Sequence, residues 1–497
     1  MEVAVGRGWL VFGMLCAVGF CGSAAAQSVQ GSLVTLVNSG RFQFNRLETQ
    51  AAFANQAAYN ALAPLCGGQG ETGCSAEQFR VFDNVRELVE TANELLGSGP
   101  TENSLGLDEE GLGFALRWTA AEEMAAQSSA GSEFANNQLT SLMSRMTALR
   151  YGARGFSIVN LPPGAKQNGV ILANERSPHG GGASADDDSS SELGSRWGGF
   201  LDGSFGWGNR DPTDVEDAFD FDGMEWTFGV DYRFTPGLVI GAIAGRTQQE
   251  IDFDARRSVV DGGIDTDGYS LIVYGLHEWN GPYMSASIGW QKLSLDTTRR
   301  ITYPSFNPDT DSTDVTARGS TDSTTFSMTF NSGWSMNWKA LGFEPYMRAE
   351  YRDMTLDGFD ENSIYNTGLL AGQPAGFDFT FGDQDIKSLD TALGFRVQYA
   401  LTPSFGVVVP YLKAEAHWQM MDDPHTVDAN YEGMGGATPA VQFDIVGDKS
   451  DNSFYVVAAG LSVVLKGGWQ GFIQYQTVQS LDLLSNDVIT GGVRSEF

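Results

Sequence analysis

The sequence is poor in the residues that most often carry chemistry. It has four cysteines and four histidines in 497 residues. Four cysteines are too few for a disulfide-dense scaffold. Lys plus Arg is 30 against 62 for Asp plus Glu, a formal charge of −32. This shortage of cations excludes nucleic acid as a partner, because binding a polyanion needs clustered Lys and Arg. Beyond the N-terminus no stretch approaches the ~20 continuous apolar residues of a membrane helix. A polytopic helical membrane protein is thereby excluded, in line with a mean hydropathy of −0.19. What is plentiful is glycine, at 61 residues, and aromatics, at 11%. Glycine averages near 7%. Many strands joined by tight turns fit that composition.

The first residues read as an address. Arg7 supplies a positive start, 10–20 is an apolar run of signal-peptide length, and Ala24-Ala25-Ala26 is an A-x-A cleavage site. Residues 1–26 are expected to be removed after passage through the Sec translocon. Ala24 and Ala26 would flank the cut and Gln27 would begin the mature chain. Phe20 is too bulky for lipid attachment at Cys21. The mature chain keeps Cys66 and Cys74. An exported compartment permits a disulfide between them across a Gly-rich loop.

Residues 27–155 read as a small helical region. Val81, Phe82, Val85, Leu88, Val89 and Ala92 recur with a 3.6 period, and Leu139, Leu142, Met143, Met146 and Leu149 form a second stripe, on a helix placed at 133–150. Residues 156–194 are a linker, with Pro162-Pro163, Gly180-Gly181-Gly182 and Asp186-Asp187-Asp188 among serines.

From 195 to 497 the period changes to 2. Phe343, Pro345, Met347, Ala349 and Tyr351 alternate with Glu344, Tyr346, Arg348, Glu350 and Arg352. Leu393, Phe395 and Val397 alternate with Arg396 and Gln398, and Leu412, Ala414 and Ala416 with Lys413, Glu415 and His417. One face suits hydrocarbon and the other water. Soluble strands average ~5–6 residues. These segments are about twice that, as tilted bilayer-spanning strands of ~9–11 residues require. Twelve such segments follow one another: 195–208, 218–234, 238–252, 265–279, 283–299, 316–338, 342–356, 377–400, 405–420, 441–465, 469–479 and 486–497. Short turns such as Thr235-Pro236-Gly237 and Asn280-Gly281-Pro282 alternate with long polar links such as 301–315, 357–375 and 421–440. The expected fold is an all-β transmembrane barrel of about twelve antiparallel strands, preceded by a small α-helical region. Arg348, Glu350, Arg396, Lys413 and Glu415 would face its lumen, where contact with water would make Arg348 or Lys413 cheap to truncate. Trp207, Tyr232, Trp279, Tyr283, Trp338, Tyr399 and Trp418 could form aromatic girdles.

Several strings in this order carry a family resemblance. They are Trp197-Gly198-Gly199-Phe200, Phe219-Asp220-Phe221-Asp222-Gly223, Gly229-Val230-Asp231-Tyr232-Arg233-Phe234, Asp267-Gly268-Tyr269-Ser270-Leu271, Ser388-Leu389 with Ala392-Leu393-Gly394, and 489–497. The C-terminal part resembles the autotransporters, the type V secretion proteins of Gram-negative bacteria. The resemblance implies a twelve-stranded outer-membrane barrel that translocates or displays what precedes it. It also implies a helix lodged in the lumen, for which 133–150 stands, and an assembly signal formed by Ile489, Val493 and Phe497. Implied partners are outer-membrane lipids with lipopolysaccharide, and the barrel-assembly machinery. A porin-like channel plugged by the linker and a surface adhesin with an unidentified ligand are the rival functions.

Enzymatic motifs are missing. There is no G-x-S-x-G elbow and no H-E-x-x-H pair. His179, His277, His417 and His425 are scattered, and Asp265, Asp267, Asp309, Asp311 and Asp314 lack EF-hand spacing. No cofactor, metal site or enzymatic activity is expected. Asn136-Asn137 resembles the pair at which some autotransporters cut themselves, by cyclisation of an Asn amide onto its own carbonyl; an exposed polar helix face is the alternative. From the terminal signal, deletion of Phe497 is expected to lower outer-membrane yield and leave protease-sensitive periplasmic protein. Unchanged yield and heat-modifiable gel mobility would refute that role.

Overall fold

The computed structural model describes residues 31–67, 73–150, 196–213, 216–253, 259–421, 426–432, 434, 443–447, 453–465, 469–481 and 483–496. The cleavage-site residues Ala24, Ala26 and Gln27, the linker, His179, His425 and Phe497 lie outside them.

Twelve strands form the barrel. They are β1 Trp197–Arg210, β2 Phe219–Thr235, β3 Leu238–Phe253, β4 Asp261–Glu278, β5 Pro282–Tyr303, β6 Thr313–Trp334, β7 Leu341–Leu356, β8 Gln384–Tyr399, β9 Gly406–Met421, β10 Ser453–Leu465, β11 Gln470–Gln479 and β12 Leu484–Glu496. Each pairs antiparallel with its sequence neighbours, and β1 pairs with β12 from Gly198↔Glu496 to Arg210↔Leu484, which closes the sheet. Closure leaves no edge whose amides would meet hydrocarbon unpaired.

The period-2 pattern becomes two surfaces. Phe343, Met347, Leu393, Phe395 and Leu412 face outward and are exposed, whereas Glu344, Arg348, Glu350 and Glu415 are buried inside. Two of the twelve segments start later than their composition suggests. Residues 379–381 and 443–446 do not enter the barrel. With Thr426–Tyr431 and Phe359–Asp360 they build a separate four-stranded sheet on the long-loop rim. Tyr283 also departs from expectation: it is buried in the lumen, where its hydroxyl donates to Glu344 at 2.8 Å, and it belongs to no girdle. Trp279, Trp338, Tyr399 and Trp418 are exposed on the outer face.

Among the described residues, five α-helices precede the barrel: α1 Ser32–Asn38, α2 Arg46–Cys66, α3 Ala76–Asn93, α4 Glu109–Trp118 and α5 Gln127–Arg150. Their starts are legible in the chain. Asn45 with Glu48 and Ser75 with Gln78 form capping boxes, and Asp108 caps α4 through the Gly111 N–H. The stripe Val81, Phe82, Val85, Leu88, Val89 and Ala92 is buried throughout. It packs partly on Leu33, Leu36, Leu112 and Leu116 and partly on loop residues of the barrel, Phe359, Phe379, Phe381, Val427 and Tyr431. Helices α1–α4 thus form a cap seated on the long-loop rim. Cys66 and Cys74 are joined, with Cα atoms 5.4 Å apart, at the end of α2 and just ahead of α3.

The outward face generates a test. Leu412→Arg near the bilayer midplane should cost ~2–4 kcal/mol. Gln476→Ala, which trims a neutral lumen side chain, should cost under ~1 kcal/mol. Urea titration of the protein folded into lipid vesicles measures both. Equal losses would refute the assigned faces.

Candidate functional site: the filled lumen

The site is the barrel interior with helix α5 inside it. At ~1.5 Å per residue its 24 residues span roughly 36 Å, enough to cross a bilayer. Its first turn follows a 3₁₀ turn, Glu122–Ala126, that packs on the long-loop sheet. Its last turn reaches the short-turn rim, where Arg150 pairs with Glu344 and Arg233 donates to the Leu149 carbonyl at 3.3 Å. The helix starts at Gln127, six residues before its expected start at 133.

Two sides of the lumen hold two sides of the helix. Leu139, Leu142, Met146 and Leu149 pack on Phe200, Val239, Ile243, Ile272 and Tyr274. Each buried aliphatic side chain contributes about 1.5–3 kcal/mol. The polar side carries the charges. Arg145 is fully buried and grips Asp231 with two hydrogen bonds, of 2.7 and 2.9 Å. Tyr274 donates to the same carboxylate at 2.9 Å, and the Arg145 guanidinium lies 5.2 Å from the Phe200 ring. Arg494 at the end of β12 donates to Ser144 at 2.8 Å. Glycine makes the approach possible. A side-chain carbon at Gly198 would collide with Arg145 and Asp231, and one at Gly245 with Gln138.

The structure places Arg348, Glu350, Arg396, Lys413 and Glu415 on the inner side of the barrel wall. Arg348 and Lys413 both bond Glu415, at 3.1 and 2.9 Å, and Tyr346 donates to it at 2.8 Å. Glu350 pairs with Arg352 at 3.3 Å, and Arg396 stacks 3.8 Å over the Tyr411 ring. These are buried partnerships rather than water-bathed side chains. Removing Arg348 would leave buried Glu415 with one of its two close cations, Lys413, so it is not a cheap position to truncate. A cavity of about 40 Å³ remains among Ser144, Thr147, Arg396, Lys413 and Gln474. It has room for one or two waters.

His417 also lies inside, with Nδ1 2.8 Å from Asp390 and Nε2 3.4 Å from Glu415. Among the described residues no group of three or more His, Cys, Asp or Glu is placed to hold a metal. Asp265 and Asp267 face outward, where Asp267 pairs with Arg246, and Asp314 pairs with Arg300. Asn137 is not on an exposed face. It sits in the lumen beside a cavity of about 10 Å³ shared with Glu225, Thr247 and Gln249. Of Asn136 the structure describes the backbone alone. Ile489 and Val493 are exposed on the outer face of β12, opposite Phe205 and Leu201 of β1. Sequence reasoning missed Asp231, Asp202 and Glu225, because inward carboxylates on Gly-rich strands look like ordinary polar alternation.

A closed, even-stranded antiparallel barrel, apolar outside and charged within, with one helix along its lumen, defines a secretion-type outer-membrane barrel. Residues 199–476 match the model of the autotransporter beta-domain. That is more than half of the chain, and the protein belongs to the autotransporter family. It is similar to the translocator domain of the autotransporter NalP from Neisseria meningitidis, with 14% identity, TM-score 0.46, and coverage of 61% of this chain and 88% of that one. The beta domain of the Bordetella autotransporter BrkA matches at 13% identity and TM-score 0.38, covering 60% and 99%. The transport unit of AIDA-I from Escherichia coli matches at 11% identity and TM-score 0.36, covering 62% and 93%. No curated protein matches. The chain is therefore an outer-membrane barrel whose family role is translocation of an N-terminal region.

The Arg145–Asp231 pair can be tested. Arg145→Met leaves a carboxylate buried without its guanidinium and should cost about 3–5 kcal/mol. Arg145→Met with Asp231→Asn should recover most of that loss. A double-mutant cycle by chemical denaturation measures the coupling, and additive losses would remove the pair as the helix anchor.

Proposed function

We propose that this autotransporter displays its own helical region as a lid over its barrel. Residues 31–126 stand outside the cell, α5 threads the lumen, and the two remain together after translocation. The observation that carries this reading is the placement of the two ends of α5. The cap is seated on the long-loop rim and the end of α5 lies at the short-turn rim, so the chain crosses the lumen once. In an outer-membrane barrel the long loops face outward. The cap is also fastened. The Asn307 amide donates to the carbonyls of Thr101 and Ser104 at 2.8 and 2.6 Å, Thr310 donates to that of Glu102 at 2.7 Å, and Tyr431 donates to Asn55 at 2.7 Å.

In this reading the barrel does no covalent chemistry on a substrate and needs no cofactor. The leader is cut between Ala26 and Gln27, and Ile489, Val493 and Phe497 present the last strand to the barrel-assembly machinery. The outward face meets lipopolysaccharide. The Cys66–Cys74 disulfide closes too small a loop to obstruct passage of the chain. A porin-like role is disfavoured by the helix and paired charges that fill the lumen.

One observation favours a variation at Asn136-Asn137. Asn137 shares a lumen cavity with the buried Glu225. Attack of the Asn136 side-chain nitrogen on its own carbonyl would form a succinimide, break the peptide bond to Asn137, and hand a proton to the departing amine. Intact-mass measurement of envelope protein distinguishes one chain from two.

The test of display is whole-cell antibody labelling of the cap combined with single-channel recording. Intact cells should be labelled, full-length protein should conduct little, and a chain lacking 27–150 should conduct strongly and steadily. Unlabelled cells would refute display, and equal large conductance in both proteins would restore the open-pore alternative.

A further inference from the structure

The cap meets the lumen helix at one short segment, the 3₁₀ turn Glu122–Ala126. Ala121 just ahead of it has φ 52°, a left-handed conformation that a non-glycine residue adopts only under constraint. Two adjacent carboxyls follow, and both are buried. Their partners differ. Glu122 takes a two-pronged bond from Arg117, at 3.1 and 2.9 Å, and Asp217 stands 3.7 Å from the same guanidinium. Glu123 has 1% of its surface exposed, and neither of its oxygens accepts a hydrogen bond from another residue among those described.

The cation that acts on Glu123, Arg299, is shared with Glu361, and its Nη1 has no hydrogen-bond partner among the described residues. Arg299 on β5 is fully buried and spends its hydrogen bonds on Glu361, at 3.2 and 2.6 Å, and on the Phe377 carbonyl, at 3.0 Å. Glu361 and Glu122 face Glu123 as like charges. The strands packed on the turn, Thr426–Tyr431 and Phe443–Val446, bring Asp428, Tyr431 and Asp444 by sequence and no Lys or Arg. Behind Glu122 stand Arg117, Asp217 and the Arg210–Glu216 pair.

A charge on this buried carboxyl is disfavoured, because among the described residues only its own backbone N–H donates to it and its cation is shared with Glu361. Burial favours the neutral form. We propose that Glu123 is a protonation latch: the cap seats on the barrel with this carboxyl uncharged, and ionising it unseats the turn and loosens the cap. The latch rests on the lid reading above for its meaning outside the cell, but not for its chemistry.

The direction of the pH effect follows from linkage. Burial pushes the Glu123 carboxyl well above its ordinary 4.5, and burial pushes Glu122 up to about 7 against the pull of Arg117. A carboxyl raised in the folded state holds its proton there and loses it when the site opens. Its contribution is present in full below the ordinary value and is lost as pH rises through the folded one. Glu122 contributes a loss between 4.5 and about 7, and Glu123 adds its own loss above 4.5. Acid therefore tightens the cap and alkali loosens it. The site inverts the usual behaviour of carboxylates held by salt bridges.

The experiment is hydrogen–deuterium exchange on full-length protein in detergent from pH 5.5 to 9, corrected for intrinsic exchange rates. The readout is protection of peptides from 76–126, with β3–β6 peptides as an internal reference. Wild type should lose at least tenfold in cap protection across the range while the barrel holds. Glu123→Gln, neutral at every pH, should lose only the part that Glu122 contributes and so fall by much less than wild type. Should that variant fail to assemble, Glu123→Leu serves in its place. Glu122→Gln should retain the part of the drop that Glu123 carries. A flat wild-type profile would overturn the latch. So would a Glu123→Gln profile that falls like wild type, or a response abolished by Glu122→Gln alone. The measurement is made on isolated protein, so its failure leaves surface display untouched. A cap that cells do not display would leave the latch standing.

Discussion

Everything in this protein depends on hydrogen bonding of backbone that crosses hydrocarbon. Lipid offers no partner to an amide or a carbonyl. The sheet must therefore close, and the register between Gly198 and Glu496 is where it does so. Closure then sets the side chains. Alternate residues face lipid and must be apolar, and the residues between them are forced together in a narrow interior. That interior tolerates charge only if each charge finds an opposite or a dipole.

Helix α5 completes the interior rather than merely occupying it. Asp231 bonds Tyr274 and Glu344 bonds Tyr283, and Arg145 and Arg150 bring them cations from the helix. The apolar stripe on the same helix covers Ile243 and Ile272, which would otherwise meet water. Plug and wall form one core, made of segments far apart in the chain. The cap extends it, since much of the apolar surface covering α2 and α3 belongs to barrel loops.

Much of the barrel was legible because a period of 2, sustained over long segments, fits little besides a strand with one face in lipid and one in a polar interior. All twelve strands, their turns and their two faces follow from it. The helical stripes at 81–92 and 139–149 were legible for the same reason. The misreadings share a physical cause. Phe379–Phe381 and Phe443–Val446 alternate like barrel strands, but their partners lie in other loops, and local pattern carries no record of a partner. Tyr283 was mistaken for a girdle residue because an aromatic at a strand end suits either face. The two arginines of α5 were visible in the chain. Their acids on β2 and β7 were not, because pairings of Arg145 with Asp231 and Arg150 with Glu344 span 86 and 194 positions. The role of Glu123 was beyond reach, since a glutamate in a polar turn reads as solvated until its surroundings are known.

The cap's core has a consequence for the order of events. Asn84 donates to the carbonyl of Ala375 across 291 positions, and Tyr431 to Asn55 across 376. Contacts of such separation form late, because the intervening chain must be arranged first. Before the barrel exists, α1–α4 lack the part of their core that Phe359, Phe379, Phe381 and Val427 provide. With the region displayed as proposed, it would thread before its core is complete and lock once it meets the barrel loops. The free energy of completing that core would then oppose its return through the lumen.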